Sequence, residues 1–141
     1  MIVLDTNIVL DAFVFDDPAA QPLKVALASR TIQWLATQPM RDELERVLTY
    51  PKIIARLAFN QIAASDVLAQ FDTQVRLVDL APKASVTCRD PDDQKFIDLA
   101  VAHKTLLLSK DRAVLCMKKR LLALDVRAYT AIDFVASAGE K

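Results

Sequence analysis

The chain predicts an α/β domain with a mainly parallel sheet of four to five strands. Three observations carry that expectation. Short apolar runs alternate with amphipathic stretches from one end to the other. The 141 residues suffice for a single domain, taken as 1–141, with a sizeable core. Apolar residues make up 53% and charged residues 26%, the balance of a folded chain rather than a disordered one.

Residues 1–4 read as a buried first strand. Asp5-Thr6-Asn7 can cap a helix carrying Ile8, Val9, Leu10 and Phe13. Asp16-Asp17-Pro18 forms a loop, a helix follows over 22–29, and residues 31–35 make the second strand. Thr37 or Gln38 caps the next helix with Pro39 at its first position, where the fixed proline φ fits. That helix aligns Met40, Leu44, Val47 and Leu48 until Tyr50-Pro51 stops it. Residues 53–57 and 65–74 are helical, the latter opened by a Ser65-Asp66 cap, and 75–80 form the third strand. Asp90-Pro91 opens a helix reaching about Ala102, and 105–108 is the clearest strand after the first. A helix over 112–122, a strand over 126–129 and a terminal helix over 130–138 complete the chain.

Composition excludes several chemistries. The one glycine, Gly139, leaves nothing with which to write a P-loop or a dinucleotide fingerprint. The one histidine, His103, rules out histidine-rich zinc sites and reads as structural or exposed. Cys88 and Cys116 form no CxxC pair and suggest reduced thiols, with a single disulfide as the alternative. The first residues resemble no secretion signal and no apolar stretch is long enough to span a bilayer, so a cytoplasmic protein is expected. Lys plus Arg and Asp plus Glu are equal at 18 each, so a polyanionic partner would need a local basic patch. The chemistry must then run mainly on carboxylates.

Four acidic positions stand out. Asp5 follows directly on the first strand and Asp111 follows closely on the strand at 105–108. Side chains just past the carboxyl ends of parallel strands line the crevice where ligands bind. Each also has a plain structural reading, Asp5 as a helix cap and Asp111 as a turn residue. In Asp90-Pro91-Asp92-Asp93, Asp90 is the expected cap and Asp93 the third helical residue, which puts both at one end and one side of the helix. Asp92 projects elsewhere, and Asp98 reads as solvated or locally paired. Glu43 flanks the apolar stripe of its helix, Glu45 lies on the opposite polar side, and Asp42 fits the first-turn dipole. Gathered carboxylates repel and raise one another's pKa values unless a cation intervenes. Oxygen-only ligands suit hard Mg²⁺ or Mn²⁺, which acidify a bound water and neutralise charge on a phosphodiester.

Val3-Leu4-Asp5-Thr6-Asn7, Glu43-Leu44 with Val47-Leu48, Asp90-Pro91-Asp92-Asp93 with Phe96 to Ala100, and Leu107-Leu108-Ser109-Lys110-Asp111 resemble, in order, the motifs of the PIN-domain family. The resemblance spans about residues 1–135. It implies a three-layer α/β/α sandwich with a parallel sheet and a metal-dependent endoribonuclease, often the VapC-like toxin of a type II toxin–antitoxin pair. It further implies that Asp5, Glu43, Asp93 and Asp111 form the acidic constellation around Mg²⁺ or Mn²⁺, with Asp90 assisting. Thr6 and Asn7 resemble positions that orient the first Asp, and Ser109 a hydroxyl beside the last one. Many relatives carry a further acidic residue just beyond the last motif. Ala113-Val114-Leu115 is neutral there, which favours one metal over two.

Basic residues outnumber acidic ones between Lys104 and Arg127, and this segment could contact phosphates. Lys110 and Arg112 flank a proposed ligand and, with Asn7 and Ser109, are the expected substrate contacts. Lys118-Lys119-Arg120 reads equally as a solvated helix face. The few aromatic residues suggest no stacking platform for sequence-specific RNA reading. Phe13-Val14-Phe15 with Leu57 and Phe59 serves either a homodimer or antitoxin contact or the core. The alternative function is a noncatalytic protein- or RNA-binding module on the same fold. Covalent phosphoryl transfer is disfavoured because Asn7 stands where a second Asp would be wanted.

Overall fold

A computed structural model describes residues 1–131. Five strands form one all-parallel sheet: β1 (Ile2–Leu4), β2 (Trp34–Ala36), β3 (Val75–Leu77), β4 (Leu106–Leu108) and β5 (Arg127–Tyr129). Their spatial order is β3-β2-β1-β4-β5. Eight helices are found among the described residues: α1 (Thr6–Phe13), α2 (Gln21–Ala28), α3 (Gln38–Val47), α4 (Pro51–Phe59), α5 (Ala64–Gln74), α6 (Gln94–His103), α7 (Arg112–Leu115) and α8 (Lys118–Leu122).

The order explains the layers. The chain steps outward in one direction from β1 to β3, then crosses back to β4 and on to β5. Parallel crossovers are right-handed, so this reversal sends α1–α5 to one face of the sheet and α6–α8 to the other. In keeping, α1 and α5 pack on α3, whereas α6 lies against β1 and β4 and α8 against β5. β1 and β4 sit centrally, and Ile2, Val3, Leu107 and Leu108 are fully buried. Burial on both faces is why these strands read as continuous apolar runs.

The core is anchored on the α1–α5 side by Trp34. Its indole stacks on Phe13 at 6.0 Å between ring centroids and meets Phe71 edge-on at 5.1 Å. Trp34→Ala is expected to cost roughly 3–5 kcal/mol, read as a lower urea midpoint with an unchanged slope.

Several local expectations need correction. β2 starts at Trp34 rather than 31, because Arg30 turns left-handed (φ 58) and the Thr31 N–H closes back on the Ala26 carbonyl. β3 ends at Leu77. Helix α3 starts at Gln38, with Thr37 in the cap position but making no cap bond. Pro39 is therefore its second residue rather than its first, and Asp42 falls beyond the first turn, bonded to Gln38 at 2.9 Å instead of meeting the dipole. Pro51 does end the preceding stretch, but as the first residue of α4. Helix α5 begins at Ala64, and Asp66 reaches back to the Ala63 N–H at 3.2 Å instead of capping directly. The helix expected over 112–122 breaks into α7 and α8. Ala113, Val114, Met117 and Leu121 still share the buried face, so a break that preserves the face leaves no trace in the periodicity. The terminal helix expected at 130–138 lies almost wholly outside the described residues.

Cys88 and Cys116 are free thiols. Phe13, Val14 and Leu57 belong to the core, and only Phe59 of that apolar group is strongly exposed. The basic segment is partly neutralised within the fold: Lys104 pairs with Asp125 at 3.6 Å and Lys110 with Asp11 at 2.8 Å. No helix among the described residues is long and apolar enough to cross a membrane.

Candidate metal centre

The direction of the chain reverses between β1 and β4, and a crevice opens at the carboxyl ends of these two strands. Asp5 stands at the end of β1 and its N–H bonds the Leu108 carbonyl of β4 at 3.0 Å. Asp5 occupies the cap position of α1, yet its carboxylate makes no cap bond. It instead accepts the Ser109 hydroxyl at 2.7 Å. The same Ser109 oxygen accepts the Asp111 N–H at 3.0 Å, so one fully buried hydroxyl ties the first acidic residue to the last.

Asp111 caps α7 by accepting the Ala113 N–H at 2.9 Å. Asp93 arrives from the other side of the crevice. Asp90 accepts the Asp92 N–H at 3.0 Å and closes a 3₁₀ turn, Pro91–Asp93, so that helix α6 proper begins one residue after Asp93. Asp98, expected as solvated or locally paired, accepts Gln94 at 2.8 Å and pins the Ala84 N–H at 2.8 Å.

Asp5, Asp93 and Asp111 each offer a carboxylate oxygen within 4.8 Å of the others. Two of the three are buried, and Oδ2 of Asp93 has no hydrogen-bond partner. The electrostatics reflect that crowding. Burial, foremost, with Asp111 and Asp5 close by, pushes the Asp93 carboxyl up to about 8. Burial raises Asp5 as well, against the opposing Ser109 hydrogen bond. Buried like charges with an orphaned oxygen are in deficit of positive charge, and no ion pair to any of the three is found among the described residues. A hard divalent cation fits this donor set, which is all oxygen.

Around the triad, an open pocket of about 690 Å³ is shared by Glu43 and Asp90. Glu43 stands outside the close cluster. It accepts the Thr6 hydroxyl and receives Lys95 Nζ at 3.1 Å. The Thr6 hydroxyl therefore serves Glu43, whereas the hydroxyl on the first Asp is that of Ser109. Asn7 is exposed on the pocket lining. The other expected substrate contacts are placed elsewhere. Ser109 is sealed beneath the carboxylates, Lys110 turns to Asp11, and the exposed Arg112 is not part of the lining.

Other participants had little signal in the sequence. Lys95 lies one turn from the acidic motif but reads as a surface lysine until α3 and α6 are brought together. Val47, Tyr50, Pro51, Lys52 and Ile53 also line the pocket, although Tyr50-Pro51 reads locally as nothing more than a helix stop.

The fold and the cluster define a class, a parallel α/β domain with an oxygen-only acidic cluster, able to hold a metal ion, at the switch point of its sheet. The family model of the PIN domain (PIN_3) matches residues 1–113, and the chain belongs to the PIN-domain family. PIN domains are generally nucleases that act on RNA and use divalent metals. No curated protein matches the chain.

Proposed function

We propose that this protein is an Mg²⁺- or Mn²⁺-dependent endoribonuclease. The observation that carries the reading is the convergence of Asp5, Asp93 and Asp111 with one Asp93 oxygen left unpartnered in a buried site. These three residues would hold the ion, with Glu43 and Asp90 completing its surroundings. When bound, such an ion acidifies a water and neutralises charge gathering on the phosphodiester. Ser109 keeps Asp5 and Asp111 in register, so the donors need not reorganise. Lys95 and Thr6 hold Glu43 at the pocket edge, where its carboxylate can position a water and accept its proton. Asn7 is available to the substrate backbone, and Arg112 and Lys110 would act only on RNA that extends beyond the pocket.

The finer reading is a VapC-like toxin held inactive by a protein antitoxin, with exposed apolar residues as the contact for a homodimer. Ile54 and Phe59, both exposed on α4, support such a contact surface. A small neighbouring reading frame whose product stops cleavage would bear this out.

The activity is tested with purified protein and end-labelled single-stranded RNA. Cleavage in Mn²⁺ or Mg²⁺ should vanish on EDTA addition and return when the ion is supplied in excess. Cleavage indifferent to EDTA would remove the metal mechanism. Absence of cleavage across varied RNAs and ions would favour the noncatalytic module.

A further inference from the structure

The pocket has two unlike walls. The carboxylates occupy one, while the turn from α3 into α4 supplies the other through Val47, Tyr50, Pro51, Lys52 and Ile53. An ion and a phosphate account for the first wall only. The second is apolar with a half-exposed aromatic ring (Tyr50, 46% exposed) and one cation. We propose that Tyr50 and Lys52 form a nucleotide subsite beside the carboxylate cluster, with the Tyr50 ring stacking on the base adjacent to the scissile phosphate and Lys52 contacting a flanking phosphate. This rests on the ribonuclease reading.

The local structure suits Tyr50 to the task. Its N–H bonds the Val47 carbonyl at 3.0 Å, and its own carbonyl accepts the Ile53 and Ile54 N–H groups, both at 2.9 Å. Pro51 fixes the next φ at the first position of α4. The Arg46 guanidinium lies beside the Tyr50 side chain one turn away. With its backbone so fixed, Tyr50 has only two side-chain torsions to order when a base lies on the ring. Lys52 forms no ion pair among the described residues, unlike Lys95 and Lys110, so its charge is available to a phosphate. Stacking accepts any base face. The subsite therefore takes single-stranded RNA with little base preference. A duplex, whose bases are already stacked, cannot enter it.

The test compares parent, Tyr50→Ala, Tyr50→Phe and Lys52→Gln in Mn²⁺. The probes are short fluorescein-labelled single-stranded RNAs, intact or abasic at the nucleotide beside the cleavage site. Tyr50→Ala should raise KM, and Kd by anisotropy, roughly 10- to 100-fold, the effect falling on KM rather than kcat. Tyr50→Phe should restore binding. The abasic probe should weaken the parent by a similar factor and cost Tyr50→Ala nothing more. Lys52→Gln should lower the salt dependence of binding by about one phosphate contact, a change of roughly 0.7 in the log–log slope. Thermal melts verify that each variant folds. If parent and Tyr50→Ala bind alike, or if the abasic probe weakens both equally, the subsite is overturned while the nuclease reading survives. If nothing is cleaved in any ion, the nuclease reading falls and the subsite, defined by its scissile phosphate, falls with it even where binding follows Tyr50. Parent that neither cleaves nor binds RNA overturns both.

Discussion

Asp5→Asn is expected to lower kcat/KM for RNA cleavage by at least about 100-fold. Losing only the outer partner of a metal ligand costs roughly 10- to 100-fold, and Ser109→Ala should fall in that range. Asp5 itself is a direct member of the triad, so its loss must exceed that. The amide nearly preserves shape and can still accept the Ser109 hydroxyl, which separates loss of charge from loss of fold. The defect should include a weaker apparent Mn²⁺ affinity, with RNA binding at the Tyr50 wall retained. Wild-type cleavage by Asp5→Asn at limiting Mn²⁺ would show that the cluster is not the reaction centre.

The second large effect is on stability and its pH dependence. The ordinary carboxyl value is 3.8, and folding pushes Asp93 up to about 8 and Asp5 upward too. Between these values the native state binds more protons than the unfolded chain. Stability of the metal-free protein therefore falls as pH rises from about 4 through about 8. Tm measured in EDTA should drop across pH 5–8. A divalent cation competes with those protons, so saturating Mn²⁺ should raise Tm most at the alkaline end. At a hundred times Kd the gain is about 2.7 kcal/mol, roughly 10 °C for a chain of this size. Asp93→Asn should raise the metal-free Tm at pH 8 and abolish most of the response to Mn²⁺. A Tm that is flat with pH and unmoved by Mn²⁺ would refute the charge deficit.

Much of the frame was legible before any coordinates. β1 and β4 are buried on both faces and therefore show as unbroken Leu, Ile and Val, which marks central parallel strands from composition alone. Asp90-Pro91 announces a helix start through cap chemistry and proline φ, both properties of the local chain. The misplaced boundaries share a cause. The left-handed turn at Arg30 and the break after Leu115 depend on packing of neighbours, and neither changes which side chains face inward.

The acidic site divides along the same line. Asp5 and Asp111 could be paired in advance because each follows a strand, and parallel strands place such residues at one edge. The hydroxyl assignments could not. Thr6 and Ser109 each stand beside an acidic motif, and only the packing of α3 against α1 and the register of β4 on β1 decide which carboxylate each one meets.

Residue order alone determined the alternation of strands and helices, the scarcity of glycine and histidine, and a set of carboxylates that follow strand ends and open helices. Periodicity, capping and donor type are local properties, carried by neighbours in the chain. Tertiary structure decided which carboxylates converge, that Lys95 reaches Glu43, that Lys110 is spent on Asp11, and that Tyr50 faces the pocket. Those are distances between residues tens of positions apart, and the crossover that reverses the chain between β1 and β4 sets them.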